Sequence, residues 1–175
     1  MAGPTWVKMS VVHHQPDGPA FDVVLLLHVG CVVVAMATLV TGIATAARLR
    51  AILLASAPFP EPVKRYFRPG VNWAGRSLYG IPLFGFGLLA LSSGAYSLRD
   101  GWALAGLIII VAAVLVAEYA LWPAERRLQV SLVPLVGGDT SVGEAVLRDA
   151  TTMVLSAGVA LLLLVGGSVL MVAQP

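Results

Sequence analysis

The hydrophobic positions of this chain fall into four long stretches that contain almost no charge. These apolar stretches cover roughly residues 21–47, 78–98, 102–122 and 151–172. Each is close to the 20 or so residues that a helix needs to cross about 30 Å of hydrocarbon. The pattern therefore predicts an all-α membrane protein, a four-helix transmembrane bundle that fills residues 21–175 and follows a short N-terminal segment, residues 1–20.

The loops between the apolar stretches distribute their basic residues unevenly. Nine of the eleven Lys and Arg residues lie in or beside the loops after the first and third stretches, and two lie elsewhere. Because basic residues are enriched in cytoplasmic loops, we expect these two loops in the cytoplasm and both chain termini outside it. The turn between the second and third stretches, residues 99–101, is long enough only for a tight hairpin.

Composition narrows the class of protein further. The chain is 58% hydrophobic and 11% charged, so we expect it to be insoluble in water and to have the lipid bilayer as its surroundings. Its basic residues form no stripe with interleaved aromatic residues, so no nucleic-acid partner is expected. The chain is rich in Ala and Val and has nine Arg residues but two Lys residues, a composition typical of proteins from high-GC bacterial genomes. For a membrane protein of this kind we expect the bacterial inner (plasma) membrane as the location.

Two polar segments carry local structural signals. Residues 141–144 have the Ser-x-x-Glu form of a capping box, which predicts a helix start just before the fourth stretch. Residues 58–73 contain too many prolines for a regular helix, yet residues 64–68 within them are all basic or aromatic. The basic residues are Lys64, Arg65 and Arg68. We expect this segment to lie against anionic lipid headgroups; a solvated loop and a docking site for an acidic partner are the alternatives.

Small residues within the stretches predict where helices approach one another. Helices in lipid associate through close packing of small side chains rather than through hydrophobic drive. Gly30 and Gly42 in the first stretch, and Gly85 and Gly87 in the second, are therefore predicted helix-packing positions. They either join these two helices within the chain or form a groove for another membrane protein.

His28 is the one histidine within the apolar stretches and the first candidate for chemistry. Ionisable groups at membrane depth are costly and often functional. The functional interpretations are a haem b ligand, with Met171 at similar depth as the second ligand, a copper ligand, or a proton relay. The structural interpretation is a hydrogen bond from the imidazole to a neighbouring helix.

Glu118 is the second ionisable candidate, one turn before the end of the third stretch. We expect it to form a structural ion pair with Arg48 or Arg76, which are predicted to lie at similar depth. A proton-relay carboxylate is the alternative. Soluble-type catalytic motifs are absent, including the nucleotide-binding loop, the nucleophile elbow and the zinc-protease helix, so we expect a protein that is not an enzyme.

Three short motifs carry a resemblance to a known family. They are Leu26-Leu27-His28-Val29-Gly30, Thr41-Gly42 and Trp122-Pro123-Ala124-Glu125-Arg126-Arg127-Leu128. In their order and spacing the chain resembles an uncharacterised family of bacterial four-span membrane proteins, known as a domain of unknown function. That family is similar in layout to the copper-resistance D membrane proteins. The resemblance implies the four-span fold, and the chain differs from a copper transporter in lacking a second intramembrane histidine.

These observations predict an accessory or assembly subunit of a larger membrane complex, such as a respiratory or lipid-transport assembly. Other membrane-protein subunits are then the expected partners, and no cofactor is expected. The alternative is a haem- or copper-handling membrane protein that uses His28. A small transporter is the third interpretation, disfavoured because the stretches offer no polar lining for a pathway.

Overall fold

The computed structural model describes residues 18–173, in which helices are connected by turns and irregular segments and no strand occurs. Six α-helices follow one another: α1 Pro19–Leu54, α2 Glu61–Tyr66, α3 Ser77–Leu91, α4 Gly101–Val116, α5 Trp122–Val136 and α6 Gly143–Val172. A π-helical turn, Ala117–Leu121, joins α4 to α5 without a break. The predicted all-α architecture is thus confirmed for these residues, while the predicted N-terminal segment lies almost wholly outside them.

Three of these helical segments are long and apolar enough to cross a membrane. They are Pro19–Leu54, Gly101–Val136 and Thr140–Val172. α3 is also apolar but has only 15 residues, or about 22 Å at 1.5 Å per residue. It is therefore shorter than the predicted second stretch and shorter than the hydrocarbon core of a typical bilayer.

α3 ends early because a tight turn follows Leu91. The hydroxyl of Ser92 donates to the Leu89 carbonyl at 2.8 Å and accepts the Tyr96 N–H at 3.3 Å. Ser93 and Gly94 then adopt positive φ angles of 51° and 85°, a backbone conformation that ends a helix. The connection to α4 consequently runs from residue 92 to residue 100 and is longer than the predicted hairpin turn.

The helix predicted to end at Trp122 instead continues for another 14 residues to Val136. Pro123 has no N–H to donate, and its ring clashes with the carbonyl four residues earlier. The π-helical turn accommodates it: the Trp122 N–H donates to the carbonyl of Ala117, five residues back. α4, the π turn and α5 together form a helix of 36 residues, or about 54 Å.

The proline-rich connection after α1 contains a short helix where the sequence predicted none. Pro60 lies just before α2 and Pro62 in its first turn, where a missing N–H costs no helical hydrogen bond. Val63 and Phe67 are buried against the bundle, whereas Arg65 and Arg68 are exposed. The segment therefore docks through two apolar side chains and leaves its charged side chains outside.

The predicted capping box before α6 is not formed. Asp139 instead accepts the N–H of Ser141 at 3.0 Å and its hydroxyl at 2.6 Å. These two bonds lower the pKa of Asp139 below its ordinary value. A 3₁₀ turn, Thr140–Val142, follows, and α6 begins at Gly143 without a side-chain cap.

Four helices, α1, α3, α4 and α6, pack side by side in a ring. α1 contacts α3 and α6, and α4 contacts α6 and, less extensively, α3. α5 continues from α4 along the first turns of α6. We call the end that contains α2, α5 and residues 67–76 the basic end, because nine Lys and Arg residues lie there, and the end that contains residues 92–100 the opposite end.

The glycines predicted for helix packing have different surroundings. A Cβ placed on Gly85 would lie 3.4 Å from Cε1 of His28, and one on Gly87 would lie 3.1 Å from Cγ1 of Val24, so both glycines face α1. A Cβ on Gly42 would meet Tyr66 and Met153. Gly30 is exposed with nothing within 4 Å, so it packs against none of the described helices.

Candidate functional site

A large apolar cavity opens among the four helices at the opposite end of the bundle. Its volume is about 410 Å³, which lies within the range of small-molecule sites in proteins. Side chains from α1, α3, α4 and α6 line it, and it is partly open at one side. None of the described residues that line it is an acid, a lysine or an arginine; its polar side chains are those of His28, Tyr96, Trp102 and Ser168.

His28 is held in one orientation by a hydrogen bond to α3. Its Nδ1 donates to the carbonyl of Ile81 at 2.9 Å, and because a carbonyl can only accept, the proton of a neutral imidazole must reside on Nδ1. Gly85, one turn after Ile81, lets the ring approach because it has no Cβ. Nε2 is then an acceptor, and no residue within 18–173 gives it a hydrogen bond.

Met171, the proposed second haem ligand, lines the same cavity from α6. Its terminal methyl carbon fits where Gly106 of α4 lacks a side chain, 2.9 Å from the position of a Cβ. Cys31 instead packs against Gly80 of α3. Within the described part of the chain, no group of three or more His, Cys, Asp or Glu residues is arranged to hold a metal ion.

Haem fits this cavity only in part. The unprotonated Nε2 of His28 on α1 is a suitable iron ligand, and Met171 on α6 also lines the cavity. The two propionates of haem need cationic or hydrogen-bonding partners, since buried unpaired carboxylates are costly. The described lining supplies no cationic side chain for them.

A second polar cluster lies at the basic end, around Glu125 of α5. This carboxylate is only 7% exposed, and Asn72 Nδ2 donates to its Oε1 at 3.4 Å. Asn72 Oδ1 in turn accepts the N–H of Gly75 at 3.1 Å. On the next turn of α5, Gln129 donates to the carbonyl of Gly70 at 3.2 Å. The cluster thereby holds residues 70–75 against α5.

Tyr66 closes this cluster on the side of α1. Burial, and then the negative charge of Glu125, raise the pKa of its phenol well above the ordinary value. The hydroxyl lies against Gly42. A cavity of about 20 Å³, lined in part by Tyr66, Asn72 and Glu125, is large enough for one water molecule.

The predicted ion pair of Glu118 does not form among the described residues. Glu118 is exposed, and so is Arg48. Arg76 instead lies over the ring of Trp122, with its guanidinium carbon 3.6 Å from the ring centroid, which is a cation–π contact. The buried positions of this helix run Ala117, Leu121, Glu125, and Glu118 is rotated about 100° from that line.

Sequence reasoning missed Glu125 because it stands in a run of charged residues, Glu125-Arg126-Arg127. A signal was nevertheless present: Leu121, Glu125, Leu128, Leu132 and Leu135 recur at three- and four-residue intervals. That spacing places Glu125 on the apolar face of a helix continuing beyond Trp122. The predicted end of the third stretch at Trp122 hid this continuity.

The described ion pairs are both at the basic end. Arg127 Nε donates to Asp149 Oδ1 at 2.9 Å, where the Asp149 side chain is 7% exposed and the Arg127 side chain 54% exposed. Lys64 approaches Glu61 at 4.0 Å on the surface of α2. The first pair connects α5 to α6, and the second contributes little because it is solvated.

No family model, no curated protein and no solved structure matches this chain. The resemblance to the uncharacterised four-span family and to the copper-resistance D proteins therefore stays a prediction from three short motifs.

Proposed function

We propose that the chain is a four-span protein of the bacterial inner membrane, with its basic end in the cytoplasm and both termini outside. The positive-inside rule supports this orientation, because nine Lys and Arg residues lie at the basic end. α3 supports a fourth span because it packs along α1 and is apolar. Local thinning of the bilayer accommodates a short helix at modest cost.

Within that membrane we propose that the protein is a non-catalytic accessory or assembly subunit. The observation that carries this proposal is a row of small residues on the exposed side of α1. Its members are Gly30, Ala37, Thr41 and Ala44. They are spaced by seven, four and three residues, as in the contact line of paired helices, with the exposed Val34 between the first two. No helix within residues 18–173 covers them. Small side chains let a partner helix approach closely.

Two exposed glycines make a matched test of this proposal. Gly30 on α1 and Gly166 on α6 are both exposed, and nothing lies within 4 Å of a Cβ added to either. Neither Gly30→Leu nor Gly166→Leu is therefore expected to disturb the bundle. The tagged protein is purified from its native membrane in mild detergent, and companion proteins are quantified by mass spectrometry.

We expect Gly30→Leu to remove a stoichiometric companion that Gly166→Leu retains, because only the first substitution blocks the small-residue row. Equal recovery of companions with both variants, or no companion with the unmodified protein, would contradict the proposal. Gly42 is unsuitable for this test because it faces Tyr66 and Met153 inside the bundle.

A haem- or copper-handling protein is the second candidate. His28 and Met171 line one cavity, which is the observation in its favour; the lack of a cationic lining is the observation against haem. The test is an absorption and metal scan of the purified protein. A Soret band or bound copper that disappears in His28→Leu would support this candidate, and a colourless, metal-free protein would remove it.

A further inference from the structure

The cavity at the opposite end combines a hydrocarbon-like wall with one buried hydrogen-bond acceptor. The acceptor is Nε2 of His28, whose residue is 8% exposed. His28 is the ninth residue after Pro19, the start of α1, which places it about 14 Å along that helix. No described residue donates a hydrogen bond to this acceptor, and the surrounding lining is mostly apolar, so the cavity favours a ligand that brings its own donor.

The protonation of His28 determines which ligands complement it. The Ile81 carbonyl holds the proton on Nδ1, and moving it to Nε2 would leave this carbonyl facing an unprotonated nitrogen. Nε2 therefore accepts a hydrogen bond from a hydroxyl group and repels a carbonyl oxygen. A hydroxyl-bearing ligand is complementary, whereas a quinone or an ester is not.

The wall of the cavity indicates the rest of the ligand. Aromatic residues from α1, α3, the connection after α3 and α4 line it: Phe21, Phe86, Tyr96 and Trp102. Aromatic rings favour stacked or edge-to-face contact with another ring. A volume of about 410 Å³ accommodates a substituted ring and the start of a hydrocarbon tail, and because the cavity is partly open, the remainder of a tail can extend out of it.

We propose that this cavity binds a lipid-tailed hydroquinone, with one phenolic hydroxyl donating to Nε2 of His28, and that it discriminates against the oxidised quinone. The inference concerns binding alone and involves no electron transfer by the protein. It does not depend on the accessory-subunit role, because the cavity is formed within one chain.

The full chain in lipid nanodiscs provides the test. The probes are decyl-hydroquinone kept reduced under argon, the corresponding decyl-quinone, and the dimethyl ether of the hydroquinone. Binding is measured by calorimetry against empty nanodiscs, which corrects for partition into lipid. The ether has the same ring and tail as the hydroquinone but no hydroxyl to donate.

We expect the hydroquinone to bind about tenfold more tightly than the quinone and the ether, the effect of one hydrogen bond to an otherwise unpaired buried acceptor. His28→Leu should reduce hydroquinone binding to the level of the ether and leave ether binding unchanged. Leu162→Ala, at an exposed position of α6 outside the cavity, is the matched control and should change none of the three.

Equal binding of the three probes would overturn the proposal, since the cavity would then take hydrocarbon without using His28. A Soret band in the purified protein would also overturn it, because iron would occupy Nε2. If His28→Leu does not fold, the comparison of reduced and oxidised probes on the unmodified protein still decides the question. Loss of companions in Gly30→Leu, with hydroquinone binding unchanged, would separate this site from the subunit proposal.

Discussion

Gly42 offers the sharpest test of how the basic end is packed. A Cβ at this position would lie 3.1 Å from the hydroxyl of Tyr66 and 3.2 Å from the terminal methyl carbon of Met153. Favourable contacts between such atoms lie at about 3.5–4.0 Å, so Gly42→Ala forces one neighbour to move by a few tenths of an ångström. Overpacking of this kind costs about 1–3 kcal/mol.

Gly30→Ala is the control, because it has the same gain in helix propensity and meets nothing within 4 Å. Alanine is favoured over glycine in helix interiors by about 1 kcal/mol, and that term cancels between the two variants. We therefore expect Gly42→Ala to have a free energy of unfolding about 1–3 kcal/mol below that of Gly30→Ala. Reversible unfolding in mixed micelles, followed by tryptophan fluorescence, measures the difference.

Tyr66→Phe removes the oxygen that the new Cβ would meet, so it should restore part of the stability lost in Gly42→Ala. The double variant then gives a favourable coupling between the two positions, which are in direct contact. Equal stability of Gly42→Ala and Gly30→Ala would contradict a close approach of α1 to α2 at Gly42. Additive effects of Gly42→Ala and Tyr66→Phe would contradict it as well.

Three further predictions follow from the basic end. Arg127→Gln should destabilise the protein by about 1–3 kcal/mol, because it leaves the buried carboxylate of Asp149 with a weaker partner. Asp149→Asn should cost less, because the Arg127 side chain that loses its partner is half exposed. Equal losses of unfolding free energy in chemical denaturation would argue against this asymmetry. Replacing Lys64, Arg65 and Arg68 with Gln should lower the amount of anionic lipid that co-purifies with the protein, as measured by mass spectrometry. Arg99→Gln, at the opposite end, should leave that amount unchanged. The folded state raises the pKa of Tyr66, so the unfolded state loses the phenolic proton first as the pH rises. The free energy of unfolding should therefore fall above about pH 10. Tyr66→Phe should weaken this alkaline loss of stability, and an unchanged pH profile in that variant would refute the prediction.

The apolar pattern was sufficient to predict the helices because their length and composition leave few alternatives. It was less informative about where the helices end. Ser92, Ser93 and Gly94 end α3 inside an apolar stretch, since a serine hydroxyl can complete the turn with its own hydrogen bonds. Hydropathy gives no indication of such a turn. The third predicted helix had the opposite outcome. It was predicted to end at Trp122 but continues past Pro123, which a π-helical turn accommodates.

The candidate sites, like the helices, were predicted from the sequence only in part. His28 was identifiable from sequence, as a histidine in an apolar stretch, but its partner, the carbonyl of Ile81, was not. A backbone carbonyl has no sequence signature. Glu118 was selected only for its predicted depth in the membrane. Burial also depends on which side of the helix a residue faces, and Glu125 rather than Glu118 faces the buried side. The cavity itself is formed by side chains from four separate helices, and the spacing of residues along the sequence does not encode how those helices come together.

The π-helical turn at Ala117–Leu121 has a consequence for comparing this chain with any relative. Such a turn holds one residue more than the α-helix it replaces, so it behaves as a single-residue insertion within an unbroken helix. Deleting one residue there would therefore restore a regular α-helix and leave α5, with Glu125 and Gln129, close to its present position against residues 70–75. A relative with a regular helix at this place should therefore align with a gap of one position between residues 117 and 121, and it should keep the position of the Glu125 cluster on α5.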